Sequence, residues 1–328
     1  MADAGVVAYN IAAFISTLFL LEFGADKFVD HTALAVIVAS LARGRSSLAM
    51  GNIIGAAVSN ILGAFSLGLL FWSGPEVIFD RSARIYSLLL LVLTTFAAPI
   101  VYFPARITWL VCGSLLVAGF AAYVVAVGLA IGRGLLAAPE GSDSGSDSSS
   151  GADSSSDSDS GIGHGEQRHR HGLWYHFGFL ILGLLAISLA GYVLSQAATN
   201  ITDEFGISDV LFGVVILAIA TTLPEKFVAV MSGRRGHPGI LVANCAGSNI
   251  FLLTLCVGII MIDSEGQLDG GNMAIAELIV LWVSTLALTL TVWFGARVSR
   301  WIGAGMLGGY VVFIVLEFVL IHQGASLT

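Results

Sequence analysis

Nine stretches of about 18 or more mostly apolar residues dominate this chain: roughly 5–23, 49–72, 84–103, 106–131, 173–196, 207–232, 239–262, 272–294 and 300–322. Each is long enough to cross the hydrocarbon core of a bilayer. In lipid, every backbone polar group must be satisfied within the segment, so the expected fold is an all-α polytopic membrane protein. A tenth apolar run, 32–42, is too short to span. The chain is 56% hydrophobic and 11% charged, against about 25% charged in soluble domains. The opening "MADAGVVAYN" has neither a basic n-region nor a clear small-residue cleavage site. The first run is therefore expected to be a retained helix. Cys112, Cys245 and Cys256 all fall in apolar runs. They show no metal-ligand spacing or disulfide framework and read as small packing residues.

Residues 133–172 are of another kind. "GSDSGSDSSSGADSSSDSDSG" is acidic, low in complexity and without large apolar side chains. Such a segment cannot bury enough surface to offset the entropy of ordering, so it reads as a disordered cytoplasmic linker. A calcium-sensing role for its aspartates is disfavoured, because a flexible chain pre-organises no coordination shell. The neighbouring "GHGEQRHRHG" reads as a basic membrane-flanking segment before a transition-metal site. The linker separates an N-terminal membrane half, 1–132, from a C-terminal half, 173–328. With a net charge of −8 and only Lys27 and Lys226 as lysines, the composition is that of a high-salt habitat. Nothing basic and aromatic enough for nucleic acid is present. The expected partners are the bilayer and small inorganic cations, with no cofactor; oligomeric state stays open.

Charge bias suggests an orientation. Arg168, Arg170, Arg234, Arg235, Arg297 and Arg300 occupy alternate loops of the second half. The intervening loops carry Asp203, Glu204, Asp263, Glu265 and Asp269. The basic loops and the linker are then cytoplasmic and the C-terminus is outside. On that topology Asn200 of "NIT" faces outward, where a glycosylation match is read as chance.

The two halves share a pattern. The first contains "VASLARGRSSLAMGNIIGAAVSNIL" and the second "VMSGRRGHPGILVANCAGSNIFLL". With Gly44 set on Gly236, Val38 falls on Val230, Ser40 on Ser232, Arg43 on Arg235, Asn52 on Asn244 and Gly55 on Gly247, without gaps. The two loops face opposite sides on the charge-based topology, which makes this an inverted repeat. Secondary transporters are built in that way, with the binding site near the midplane.

The chemistry lies in "ATTLPEKF", residues 220–227. Thr221 and Glu225 stand at i, i+4 on one helical face, with Thr222 beside them. Pro224 has no N–H for the carbonyl of Ala220 and breaks the helix there. Irregular backbone at membrane depth is tolerated where it lines a cavity. A carboxylate, hydroxyls and freed carbonyls form an oxygen-rich cage suited to Na⁺ or Ca²⁺, and an intramembrane acid is a functional residue by default. The plainer alternative is a Glu225 that pairs with Lys226 or snorkels. The next helix carries Asn244, Ser248 and Asn249; the matching stripe in the first repeat is Asn52, Ala56 and Asn60. Buried amides in lipid need partners. Helix packing alone, through Gly51, Gly55 and Gly247, is the competing reading.

These residues carry a resemblance. "TTLPEKF" followed by "GSN", with "GADKFVDH" and "GNIIGAAVSNIL" in the first half, resembles the α-repeats of the cation/calcium exchanger superfamily, which includes sodium/calcium exchangers. The first repeat then covers about 24–68 and the second about 207–256. The resemblance implies ten helices in two inverted halves of five and exchange of Na⁺ (or H⁺) for Ca²⁺ by alternating access. It implies ligand positions at Thr221, Thr222, Glu225 and Ser248 in the second repeat and at Asn60 in the first. The first half departs from it. Glu225 and Pro224 fall on Ala33 and Thr32, so the first half has no "PE" at the matched positions. From Phe23 to Gly44 is 21 residues, against 39 from Ala197 to Gly236. The expectation is that most of a helix is excised between "HTALA" and "VIVASLARG". Glu22, Asp26 or Asp30 would be substitute carboxylates, and Glu317 is a further intramembrane acid outside the repeats.

Three functions follow for comparison. The first is a cation antiporter, not an enzyme. The second is a truncated, transport-incompetent relative that only folds or associates. An intramembrane enzyme comes last, for want of a His/Glu zinc pattern or paired aspartates.

Overall fold

The computed structural model describes residues 29–132, 173–295 and 297–321, so the run 5–23, the linker 133–172, Glu22 and Asp26 lie outside it. The described chain is helical throughout its membrane runs. In chain order the helices are α1 (Val29–Leu41), α2 (Ser46–Leu70), α3 (Arg81–Tyr102), α4 (Arg106–Gly132), α5 (Leu173–Phe205), α6 (Asp209–Thr221), α7 (Leu223–Arg235), α8 (Pro238–Ser264), α9 (Ile275–Phe294) and α10 (Ser299–Leu316, continued by Glu317–Ile321). Among the described residues, six helices are long and apolar enough to cross a membrane, or seven if the bent pair α6–α7 is one span.

Local chemistry sets the ends. Asp80 caps α3, its carboxylate accepting from the N–H groups of Ser82 at 3.3 Å and Ala83 at 3.2 Å. Beyond the end of α3, Pro104 has no N–H for the carbonyl of Ile100. The Trp109 indole N–H donates to that carbonyl instead, at 2.8 Å, and ties α4 back onto α3.

The repeat is written in the caps. Gly44 and Gly236 both take left-handed φ, +68° and +70°, which glycine adopts without steric cost. After α1, Arg45 N–H donates to Ser40 C=O at 2.9 Å; after α7, His237 N–H donates to Ser232 C=O at 3.0 Å. These are the same bonds 192 residues apart, a Schellman-type closure in both halves. Helices α2 and α8 each follow such a cap, and each contains a π-type segment at the matched place, Ser59–Phe65 and Leu252–Cys256.

Helix α1 runs unbroken through residues 33–38, where an excision was expected, and falls on α7 by the shared caps. The counterpart of α7 is therefore present as α1. Asp30 sits in the first turn of α1.

Loops gather at two faces. At one, Arg45 meets Asp203 at 2.7 Å and Asp209 at 3.1 Å. There too, Ser46 Oγ donates to Asp269 at 2.8 Å and Arg106 pairs with Glu265 at 2.7 Å. The Arg45 guanidinium is held above its ordinary pKa, first by the Asp203 hydrogen bond. At the other face, Ser73 N–H donates to Gly233 C=O at 3.3 Å and Arg297 approaches Glu76 at 3.5 Å. The Gly44 and Gly236 turns thus lie at opposite faces.

Helix α2 is the centre of the molecule: residues 46–66 are all buried. A helix apolar all round belongs in the middle of a bundle. Helices α9 and α10 pack on it, α3 and α4 pack outside α8 and α9, and these four turn Ile85, Phe96, Leu115, Ile279 and Val312 outward, the faces that would meet lipid. Glycine brings α2 and α6 together. A methyl at Gly51 would stand 2.8 Å from the Val210 carbonyl, one at Gly213 2.6 Å from that of Leu48, and one at Gly55 would collide with that of Val214. Small residues allow such close crossings in membranes. At Gly247, the repeat partner of Gly55, a methyl meets nothing within 4 Å. Gly55→Ala is therefore expected to lower the thermal unfolding midpoint in detergent, at a cost of about 1–3 kcal/mol, and Gly247→Ala to leave it unchanged. Equal effects would contradict the packing assignment.

Candidate cation site

The span that carries "ATTLPEKF" is broken. Helices α6 and α7 meet at 49°, and Thr222, with φ −105° and ψ 13°, belongs to neither. Pro224 starts the first turn of α7, where its missing N–H costs nothing. Ala220 lies in the last turn of α6 and Glu225 in the first turn of α7. A carboxylate at a helix N-terminus is favoured by the local dipole, and Glu225 is only 4% exposed.

Four side-chain contacts join the halves, two at this break and two to α8. Thr221 Oγ1 donates to Asn52 Oδ1 at 3.2 Å. The hydroxyls of Ser59 and Thr222 are 3.0 Å apart. Asn60 Nδ2 donates to Ser248 Oγ at 3.3 Å and to Asn249 Oδ1 at 3.0 Å. All seven side chains are buried. The i+4 stripe Asn52, Ala56, Asn60 of α2 thus faces both the broken span and α8, its polar members separated by two helical turns.

The amide chain has a definite direction. The carbonyl of Ala57 can only accept, so Asn249 gives it Nδ2, at 3.0 Å, and offers Oδ1 to Asn60. Asn60 must then donate, which leaves its own Oδ1 buried and without a hydrogen bond among the described residues. A buried acceptor in that condition calls for a partner, and a cation is one. Asn249, by contrast, spends both ends on protein. Asn244, half-buried, donates Nδ2 to the main-chain carbonyl of Glu225 at 3.2 Å and holds α7 against α8. So Thr221, Thr222, Asn52, Asn60 and Ser248 are joined across the halves with Glu225 buried in the adjoining first turn of α7, while Asn244 and Asn249 donate to main-chain carbonyls of α7 and α2.

Three residues missed in the sequence complete the cluster. Lys226 does not turn to solvent. Its Nζ donates to Ser59 Oγ at 2.8 Å, to Thr222 Oγ1 at 2.5 Å and to the Thr222 carbonyl at 3.3 Å. Tyr310 of α10 donates to Ser59 Oγ at 2.9 Å. The i+4 spacing of Thr222 and Lys226 was the readable signal for the lysine; Ser59 and Tyr310 had none. Among the described residues, no group of three or more His, Cys, Asp and Glu side chains could hold a metal ion. The donors here are hydroxyls, amides, carbonyls and one carboxylate, a hard oxygen set that suits Na⁺ or Ca²⁺ over a transition metal.

Comparison with known proteins points the same way. A family model described as "Sodium/calcium exchanger protein" matches residues 32–129 and 175–319. A putative antiporter of Alkalimonas amylolytica is 32% identical over 117 residues, 36% of this chain and 36% of that protein. The sodium/calcium exchanger MaX1 of Methanosarcina acetivorans is 26% identical over 141 residues, 43% of this chain and 40% of that protein. The matched stretches thus span less than half the length of these relatives. Among solved structures, the sodium-calcium exchanger NCX_Mj aligns over 93% of this chain and 97% of its own with TM-score 0.60 and 21% identity. Native YfkE aligns over 95% and 92% with TM-score 0.67 and 15% identity. At these identities the structures speak to the fold.

If Asn249 is a brace, Asn249→Ala leaves the Ala57 carbonyl buried without its donor, at a cost of about 1–3 kcal/mol. The expected result is a lower unfolding midpoint with unchanged Ca²⁺ affinity in the folded fraction, read by calorimetry. Loss of affinity at an unchanged midpoint would make it a ligand.

Proposed function

Since the chain belongs to the sodium/calcium exchanger protein family, we propose that it is a secondary active cation antiporter. It exchanges Na⁺ (or H⁺) for Ca²⁺ by alternating access at a site near the bilayer midplane. The observation that carries this reading is the set of cross-repeat pairs, Asn52 with Thr221, Ser59 with Thr222 and Asn60 with Ser248, which converge at a broken span beside a buried carboxylate. Each pair has one member in either half. A rocking of one half against the other makes or breaks ligand contacts on both sides of the ion, which is how inverted repeats gate a fixed site.

In this mechanism Glu225 supplies the charge that draws a cation from water. Thr221, Thr222, Asn60 and Ser248 replace hydration oxygens. The Thr222 break lets backbone carbonyls join them, because a continuous helix would spend those carbonyls on its own ladder. The acidic face, with Asp203, Asp209 and Asp269 and a pocket of about 260 Å³ between Ser46, Asp263 and Asp269, favours cation entry. By the bias of arginines it is the outer face, and the loops at 71–80, 236–237 and 295–298 are cytoplasmic. The unbroken α1, with the cap it shares with α7, counts against a transport-incompetent remnant.

The test is Ca²⁺ uptake into liposomes that contain the full chain, driven by an imposed Na⁺ or H⁺ gradient. Gradient-dependent uptake is expected, and Glu225→Gln is expected to reduce it at least about tenfold. Folded protein without uptake, or uptake indifferent to the substitution, would overturn the reading.

A further inference from the structure

The ammonium of Lys226 has an oxygen shell of its own inside the site. Its neighbours are two hydroxyls and a main-chain carbonyl at a helix break, the kind of donors a partly dehydrated monovalent cation takes. The hydrogen-bond count around it closes. Thr222 Oγ1 gives its proton to the Ala218 carbonyl at 2.6 Å. Its two lone pairs then receive Lys226 and Ser59. Ser59 gives its proton to Thr222, and its lone pairs receive Lys226 and Tyr310. A hydroxyl has one proton and two lone pairs, so neither oxygen has capacity left for a metal ion while the ammonium is there. The seat is also cut to fit. Gly63 borders the lysine stem, and a methyl there would stand 3.2 Å from Lys226 Cε.

Charge argues in the same direction. The site holds Glu225, and the matched positions of the first half, Thr32 and Ala33, bring no second carboxylate. One carboxylate and one ammonium leave no net charge to offset a second bound cation.

We propose that Lys226 is a tethered cation: its ammonium occupies one monovalent-ion position of the site, at the Ser59–Thr222 oxygens, and a transported ion reaches those oxygens only by displacing it. This rests on the cation-site reading above. It adds a specificity consequence, that the chain binds fewer Na⁺ than its oxygen set would hold without the lysine.

Calorimetric titration of Na⁺ and, separately, of Ca²⁺ into the detergent-purified full chain tests this. The variants are Lys226→Met, which keeps the stem, and Lys226→Gln, which keeps a donor to Ser59 and Thr222 and so preserves the packing if Met does not fold. Loss of the ammonium is expected to add one Na⁺ per chain or to raise Na⁺ affinity at least about tenfold, with Lys226→Arg close to wild type. Na⁺ number unchanged and affinity within about twofold in either folded neutral variant overturns the proposal. If wild type binds Ca²⁺ and loses it in Glu225→Gln while the Lys226 variants change nothing, only the tethered cation falls. If wild type and all variants bind neither ion, the cation-site reading falls with it.

Discussion

The interruption of one membrane span at Thr222 is the constraint on which the rest of the structure depends. An unbroken helix would spend the carbonyls of this stretch on its own ladder. Pro224 removes one rung, the 49° bend opens the backbone, Thr221 and Thr222 meet Asn52 and Ser59 of α2, and Glu225 is buried beyond them. A bend of that kind in lipid must be sheltered by protein, and α2 provides the shelter. Its glycines at 51 and 55 let α6 approach within backbone contact, which brings Asn52, Ser59 and Asn60 within hydrogen-bonding reach of the break and of α8. Packing and site are one feature: the close crossing that holds the bundle together also assembles ligands from two distant parts of the chain.

The electrostatics are lopsided. A symmetric inverted repeat would contribute matched groups from each half, and here the caps match while the chemistry does not. The caps at Gly44 and Gly236 superimpose bond for bond, yet the first half places Thr32 and Ala33 where the second has Pro224 and Glu225. With one carboxylate at the break, a lysine can be buried beside it. The Lys226 ammonium is stabilised by the hydroxyls of Ser59 and Thr222, and Ser59 is in turn oriented by Tyr310. Burial of an ammonium is expensive without such partners, so the three polar side chains and the lysine form one unit.

Much of this was legible in the residues. The apolar runs located the spans, and α2, α3, α4, α8 and α9 begin and end within a few residues of them. The gap-free match of Gly44 to Gly236 identified the repeat because a left-handed cap leaves a glycine behind. The shortfall of the first half was visible as a length. Residues 33–38 look like a seam in the sequence, whereas the hydrogen-bonded caps show α1 continuous with its partner register. Roles that depend on orientation were harder. Asn249 has the composition of a ligand, and the sequence could not show that its Nδ2 donates to the Ala57 carbonyl while its Oδ1 accepts from Asn60. Lys226 beside Glu225 suggests an ion pair, and that adjacency does not show that its ammonium also donates to Ser59 and Thr222. Tyr310 comes from the far end of the chain, and no local pattern announces it.

The most direct measurement is the anomalous difference map of crystals of this chain soaked in Sr²⁺, a heavier stand-in for Ca²⁺. The account predicts a peak bounded by the Glu225 carboxylate, the Thr221 hydroxyl and Asn60 Oδ1, at the bend between α6 and α7. Strontium only among Asp203, Asp209 and Asp269 at the acidic face, with the bend unoccupied at saturating concentration, would contradict the claim that the broken span holds the ion.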